Sequence, residues 1–336
     1  MLRDYTERML AKGDLSFQDA HTALNAILDG ECSDVEIAAF LTALAAKGET
    51  GGEMAGMARA MRDHAVPVRP RSTPLIDIVG TGGDGSQTFN ISTTAGLVAA
   101  GAGAHVAKHG NRAITSKCGS ADLLAELGVK IDAKPEVIER CIDEAGFGFM
   151  FAPAHHPAMK HVQPIRKALG FRTAFNVLGP LANPANVEII IIGVAKPYLL
   201  DTMADALLQL GARRAMVVYG DGTDEFTICG PTDMMEVRAK DVRRHVVDYS
   251  DYGIATARLE DLAGGTLAEN AQVARDILAG RIGGPRRDVV VLNAAAALMI
   301  SGLAPGFGEG IELAEDCIAS GRASSVLKKV VEISNA

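Results

Sequence analysis

The sequence predicts an α/β protein in two parts: a small all-helical domain, then a large α/β domain whose mainly parallel central sheet is flanked by helices. Three observations carry this. Hydroxyl-x-x-carboxylate signatures recur three times before residue 54, prolines cluster at Pro67, Pro70 and Pro74, and from residue 75 onward short apolar runs alternate with helical spacing.

The helical part comes first. Ser16 precedes Asp19, Ser33 precedes Glu36 and Thr50 precedes Glu53, each by three residues. That spacing lets the hydroxyl accept from the N3 amide while the carboxylate reaches back to the N-cap amide, although Asp19 fits less well than a Glu. Apolar residues then recur at helical intervals, as at Ala38, Leu41, Leu44 and Ala45. The last of these helices is expected to run out near His64, and the prolines beyond it make a stiff connector. The helical unit therefore ends near residue 73.

The α/β part opens with Leu75-Ile-Asp-Ile-Val79, a buried strand, followed by the loop Gly80-Thr-Gly-Gly-Asp-Gly85. A small-residue helix is expected over 94–101 and a strand over 105–108. Further strands are expected over 187–194 and 215–219, with a helix at 201–210 between them. Apolar runs rather than alternation imply a parallel sheet covered on both faces. Residues 164–184 break the rhythm, first helical and then punctuated by Pro, Gly and Asn, and read as a crossing between domains.

Composition excludes several classes. Lys and Arg number 33 against 41 Asp and Glu, a formal net charge of −8, which disfavours general binding to a phosphate backbone. The first eight residues lack a basic segment leading into an apolar stretch, so no secretory signal is expected. The longest apolar run, 289–300, is broken by Asn293 and is too short to span a bilayer. Five scattered cysteines without a CxxC give neither a disulfide framework nor a zinc site, and a reduced cytoplasm is expected.

Five segments carry chemistry. The loop 80–85 satisfies G-x-G-x-x-G after a strand, but residues 86–90 intervene before the helix and the next strand ends in Lys108-His109 rather than an acid, against a dinucleotide site. Alone it reads equally as a ligand-free tight turn or as amides cradling a phosphate. Asn90-Ile-Ser-Thr-Thr94 starts a helix, where amides and hydroxyls meet anions, though a plain N-cap explains it too. Lys108-His-Gly-Asn-Arg112, continuing to Ser116 and Gly119-Ser-Ala-Asp122, lies at a strand's carboxyl end, the edge where open α/β sheets bind ligands. Taken together the three favour an anionic sugar phosphate. Asp224 and Glu225, after another strand, suit Mg²⁺, which takes one or two carboxylates plus water and phosphates. Arg166 offers a guanidinium fork to a carboxylate, while Lys167 and Arg172 are equally readable as solvated charges.

With these segments in this order, the chain resembles the anthranilate phosphoribosyltransferase family over essentially its whole length. The resemblance rests on Gly80-Thr-Gly-Gly-Asp84, Asn90-Ile-Ser-Thr93, Lys108-His-Gly-Asn-Arg112, Gly119-Ser-Ala-Asp122, Arg166-Lys-Ala-Leu-Gly170, Asn176-Val-Leu-Gly-Pro-Leu-Ala-Asn-Pro184 and Asp224-Glu225. It implies Mg²⁺-dependent transfer of a phosphoribosyl group from phosphoribosyl diphosphate to the amine of anthranilate, in tryptophan biosynthesis. By the family pattern Gly80, Gly83, Asp84, Thr88, Asn90, Ile91, Ser92 and Thr93 hold the diphosphate sugar. So do Lys108, His109, Gly110, Asn111, Arg112, Ala113, Ile114, Thr115, Ser116 and Ser120. Ser92, Asp224 and Glu225 match metal positions, for two ions per subunit, and Gly80, Asn111 and Arg166 match anthranilate positions.

The resemblance also implies that part of 165–185 joins residues 1–73 in the helical domain, leaving 74–164 and 186–336 as the large domain. A homodimer formed through the helical domain is implied, in the cytoplasm, with no nucleic acid or membrane partner. Thr115-Ser116-Lys117-Cys118 stands where the family usually has two consecutive serines, and a Thr hydroxyl can substitute. Ala125-Glu126 reverses the usual order on its helix, a matter of packing.

An arylamine is neutral at pH 7, so no catalytic histidine is nominated, and Lys108 and Asp84 are expected to act by charge and position. Two rivals differ in testable ways. A pyrimidine nucleoside phosphorylase shares the glycine loop but carries a different phosphate motif at Lys108-His-Gly-Asn. A non-catalytic nucleic-acid-binding relative predicts eroded metal and anthranilate motifs and a basic surface, against the residues and charge present here.

Overall fold

The computed structural model describes residues 2–113 and 118–336. The N-terminal helices are α1 (Leu2–Leu10), α2 (Phe17–Leu28), α3 (Asp34–Lys47) and α4 (Gly51–Asp63). All three expected capping boxes form: Ser16 with Asp19, Ser33 with Glu36, and Thr50 with Glu53. Glu53 goes further, because it is fully buried, accepts the Leu15 amide at 2.8 Å and pairs with Lys47 at 2.9 Å. The α4 cap thus also ties down the turn into α2. Helix α4 ends at Asp63 and is capped by His64, as the spacing predicts.

Beyond the connector the strands are β1 (Leu75–Gly80), β2 (His105–Gly110), β3 (Phe147–Phe151), β4 (Ile189–Gly193), β5 (Arg214–Gly220), β6 (Thr232–Arg238) and β7 (Asp241–Val247). They form one sheet in the order β3-β2-β1-β4-β5-β6-β7. The first five in that order are parallel, whereas β6 and β7 add antiparallel. Strands β3, β6 and β7 were not anticipated from the pattern. Strand β7, Asp-Val-Arg-Arg-His-Val-Val, is largely exposed and charged, the composition that keeps an edge strand from pairing with another chain.

The intervening helices are α5 (Ile91–Gly101), α6 (Ser120–Glu126), α7 (Pro135–Ala145), α8 (Ala152–His155), α9 (Gln163–Leu169), α10 (Phe175–Leu178) and α11 (Leu199–Gln209). Helices α12 (Leu267–Leu278), α13 (Pro285–Ile300), α14 (Phe307–Ala319) and α15 (Arg322–Ser334) complete the chain. One face of the sheet is buried under α5 and α12 to α15. The other is buried in a core shared by α2, α4, α10 and α11, so the helical bundle packs onto the sheet rather than standing off it. Helix α9 contacts α3.

The sheet runs outward in both directions from β1, with β2 and β3 on one side and β4 and β5 on the other. The point between β1 and β4 is the topological switch, where connections diverge and leave a crevice at the carboxyl ends of the strands. The loops singled out in the sequence follow β1, β2 and β5, and so they meet there.

Candidate active site

Three glycines set the floor of the crevice. Gly80 and Gly193 end β1 and β4 in register, and Gly220 ends β5. A Cβ on Gly80 would collide with the Asp224 carboxylate, one on Gly193 with the Asp224 backbone carbonyl, and one on Gly220 with the Glu225 carbonyl. The loop 221–225 is therefore folded back across the strand ends, in space that only glycine leaves open. Asp221 takes a left-handed φ of 42° to make that turn.

The fold-back brings distant motifs together. The Gly82 amide donates to Asp224 Oδ2 at 2.8 Å, and the Ser92 amide donates to Glu225 Oε1 at 3.2 Å. Ser92 lies in the first turn of α5, whose N-cap Asn90 makes no side-chain cap and instead donates to the Cys118 carbonyl at 3.0 Å. Ile91 and Thr93 are buried, so their part in an anion site falls to the backbone amides of the helix N-terminus. In the glycine loop, Ser86 Oγ donates to Asp84 Oδ2 at 2.5 Å and lies 3.4 Å from Thr88 Oγ1.

After β2, Asp122 organises the third loop. It accepts the amides of Ala113 at 2.9 Å and Gly119 at 3.1 Å and pairs with Arg112 at 2.8 Å. Burial raises its pKa, but these amides and the guanidinium outweigh it and hold the carboxyl below the usual carboxylate range. Ser120 Oγ donates to the Asn111 carbonyl at 3.4 Å and lies against Gly110, where a Cβ would not fit. Ile114, Thr115 and Ser116, also expected in this loop, lie outside the described residues.

The electrostatics suit a divalent cation. Burial, then the charge of Asp84, pushes Asp224 up to about 7, and burial, then Asp224, pushes Glu225 up to about 8. Lys108 compensates only in part. It is 2% exposed, its Nζ donates to the Ile78 carbonyl, and burial lowers its pKa against the pull of Asp77, Glu225 and Asp224. Among the described residues no three His, Cys, Asp or Glu side chains gather as a complete metal site. Two carboxylates with room for phosphate oxygens and water is the donor set Mg²⁺ takes.

Arg166 and Arg172 both lie on the 164–184 crossing, and Arg172 reaches the glycine loop. Arg166 lies with its guanidinium 5.3 Å from the Phe175 ring centroid, and burial lowers its pKa. Among the described residues it has no carboxylate partner. Arg172 is not merely solvated: its Nη1 would be 2.6 Å from a Cβ on Gly83, which itself has φ +77°.

Four buried groups beneath the site have no role in the sequence reading, although Asn183 lies in a quoted motif and Asn293 breaks an apolar run. Asp77 on β1 is fully buried and accepts Asn183 Nδ2 at 2.8 Å and the His109 amide at 3.3 Å. Burial pushes its carboxyl up to about 6 against the opposing pull of Lys108. Asn183 also donates to the Ala107 carbonyl at 2.9 Å, fastening the domain crossing to β2. His156 sits 5.1 Å, centroid to centroid, from His109. Burial, then the neighbouring histidine His155, lowers His156 to about 4, and burial with the other two histidines holds His109 well below its usual value. On α13, Asn293 Nδ2 donates to the Phe226 carbonyl at 2.8 Å and its Oδ1 accepts the Phe226 amide at 3.2 Å. The signals were an acid inside an apolar strand and an amide inside an apolar helix.

Comparison with known proteins agrees with this arrangement. Residues 3–65 match the helical bundle domain of a glycosyl transferase family, and residues 72–324 match the a/b domain of that family. An anthranilate phosphoribosyltransferase of Herpetosiphon aurantiacus is 48% identical over 336 residues, covering 99% of each chain. The crystal structure of the anthranilate phosphoribosyltransferase from Thermus thermophilus superposes with a TM-score of 0.94 at 45% identity, covering 98% of this chain and 99% of that one. The structure of the Saccharomyces cerevisiae anthranilate phosphoribosyltransferase in complex with PRPP and Mg gives 0.90 at 32% identity, covering 99% and 98%.

Proposed function

The chain belongs to the anthranilate phosphoribosyltransferase family and transfers the phosphoribosyl group of 5-phosphoribosyl 1-diphosphate (PRPP) to the amine of anthranilate; from that premise we propose how its residues divide the task. The activity is a step of tryptophan biosynthesis. The rival readings, a nucleoside phosphorylase or a non-catalytic nucleic-acid-binding relative, are not favoured, since the relatives compared over nearly the full length are anthranilate phosphoribosyltransferases.

The diphosphate sugar lies along the crevice edge. Gly80, Gly83, Asp84, Thr88, the amides of Asn90 to Thr93, the loop from Lys108 through Ser116, and Ser120 hold it. The observation that carries this reading is the convergence of Gly82 on Asp224 and of Ser92 on Glu225. The same two bonds put a glycine loop, a helix N-terminus and two carboxylates around one point.

Asp224 and Glu225, with Ser92, hold Mg²⁺, and we assign two ions per subunit. Mg²⁺ neutralises charge that grows on the diphosphate as it leaves the anomeric carbon. Lys108, fixed beneath the carboxylates, adds to that positive field. Arg166 and Asn111 hold the anthranilate carboxylate and orient its amine, with Gly80 between the two substrates. The amine is neutral when it attacks, so the chain's contribution is position and charge rather than a strong base.

Residues 1–73 and part of 165–185 form the helical domain, a division supported by the contact of α9 with α3. Two copies associate through that domain, where Leu10 and Val35 stand 67% and 78% exposed on α1 and α3. The enzyme works in the cytoplasm; among the described residues no helix is long and apolar enough to cross a membrane.

The test is a fluorescence assay following loss of anthranilate emission with PRPP and Mg²⁺. Loss that EDTA abolishes is expected, and emission that is constant with folded protein contradicts the reading.

A further inference from the structure

A cavity of about 320 Å³ lies far from the crevice, where α4 of the helical bundle meets α11 and the starts of β4 and β5. Glu188 precedes β4 and Arg213 precedes β5, so the cavity opens at the amino ends of the strands, whereas the crevice is at their carboxyl ends. The length of β4 alone separates them by roughly 15 Å.

The walls are polar and unbalanced in charge. Arg59, Arg62 and Arg213 face two carboxylates, Asp63 and Glu188. Asp63 is already engaged, by Arg59 at 3.1 Å and by His21 at 2.8 Å, and Glu188 accepts the Leu75 amide at 2.8 Å. Arg62 is partly buried and spends only Nε, on the Leu181 carbonyl at 2.7 Å. Among the described residues its two terminal nitrogens meet no acceptor, and Arg213 has no ion pair. Burial, then the neighbouring charge of Arg59, lowers Arg62 to about 10 against the opposing pull of Asp63. The floor between these charges is apolar, formed by Val187, Ile190 and Leu207.

We propose that this cavity is a binding site for a small carboxylate with an apolar body, the carboxylate bridging Arg62 and Arg213 and the body resting on the Val187–Leu207 floor. A planar fork with free terminal donors matches a carboxylate in two bonds, and the volume suits a single-ring ligand. The walls come from both the helical bundle and the sheet. A ligand there touches both sides of the seam that α4 makes with α11, so its affinity depends on how the two sides sit, and by linkage it biases that arrangement.

The test uses the full chain and 4-fluorobenzoate followed by fluorine NMR, in an Arg166→Ala background that removes the carboxylate clamp assigned to the substrate site. The probe is expected to bind that variant. Adding Arg62→Met should raise its Kd at least ten-fold, and adding Arg213→Gln, at an exposed position whose side chain has no partner among the described residues, should raise it about three-fold with an unchanged melting temperature. No binding in the Arg166→Ala protein, or binding indifferent to Arg213→Gln and Arg62→Met, overturns the site. Inorganic phosphate displacing the probe at equal concentration overturns the ligand class, since an apolar floor gives phosphate nothing. Binding that depends on Arg62 but is the same with Arg166 present or absent upholds the cavity and counts instead against the role of Arg166.

Discussion

Gly82 and Asp224 stand 142 residues apart in the chain, yet the amide of one donates to the carboxylate of the other at 2.8 Å. The bond exists because Gly193, beneath Asp224, has no side chain. The site is thus built by a backbone fold-back over a glycine floor, and what fixes the fold-back fixes the chemistry.

Gly193→Ala tests the floor. The added methyl meets the Asp224 backbone, which cannot yield as a flexible side chain can. About 1–3 kcal/mol of stability should be lost, and kcat should fall on the order of 100-fold as the carboxylates shift. Gly308→Ala, on an α14 position with open space around it, is the control and should be neutral or stabilising by about 0.5–1 kcal/mol. Calorimetry and initial rates on both variants decide the matter.

Asn293 holds the same loop from below, through both backbone groups of Phe226. Asn293→Leu leaves those buried groups unpaired, at a cost of about 1–3 kcal/mol each. Beyond the loss of stability, the Mg²⁺ concentration for half-maximal rate should rise, whereas KM for anthranilate should hold. An anthranilate KM that moves with the Mg²⁺ requirement contradicts an effect confined to the carboxylates.

Arg166→Ala should raise KM for anthranilate by about 10- to 100-fold, the worth of a charge-assisted hydrogen bond, and leave KM for PRPP nearly unchanged. Arg166→Lys should recover only part, since an ammonium lacks the fork. Equal effects on both substrates remove Arg166 from the anthranilate site.

The buried histidines make stability depend on pH in a defined direction. His156, at about 4 when folded and near 6.5 when unfolded, binds its proton more readily in the unfolded chain, so its contribution falls as pH drops from 6.5 toward 4. Asp224 and Glu225, raised when folded, run the other way, which makes a difference measurement necessary. By urea unfolding, the stability gap between the wild-type chain and His156→Gln should shrink by about 2 kcal/mol between pH 7.5 and pH 5. A gap that is constant with pH means that His156 is not held neutral.

Local signals were legible in the sequence where a short stretch determines its own structure. The capping boxes at Ser16, Ser33 and Thr50 formed as spaced, and β1, β2, β4 and β5 lie within two residues of the expected runs. Helix α5 begins at Ile91 rather than Thr94, because the polar start Ile-Ser-Thr lies in its first turn under Glu225. The antiparallel pair β6 and β7 was not legible, since Asp233 and Glu236 interrupt the buried apolar residues of β6 and the exposed edge strand β7 carries charge instead of an apolar run. The pairs Asp77 with Asn183, Asn293 with Phe226 and Gly83 with Arg172 were hidden for another reason: each joins segments that only the finished sheet brings together. Their residues were visible as misfits in apolar or glycine-rich stretches, but no spacing rule names the partner.

The central claim is that Asp224 and Glu225 hold the Mg²⁺ that serves the leaving diphosphate, and the most direct test is a Mg²⁺ titration of the rate in Asp224→Asn/Glu225→Gln. The account predicts a Mg²⁺ requirement raised at least ten-fold and a much reduced kcat. The melting temperature at pH 8 without metal should be unchanged or higher, because two repelling buried carboxylates become neutral amides. A Mg²⁺ titration superimposable on that of the wild-type chain would contradict it.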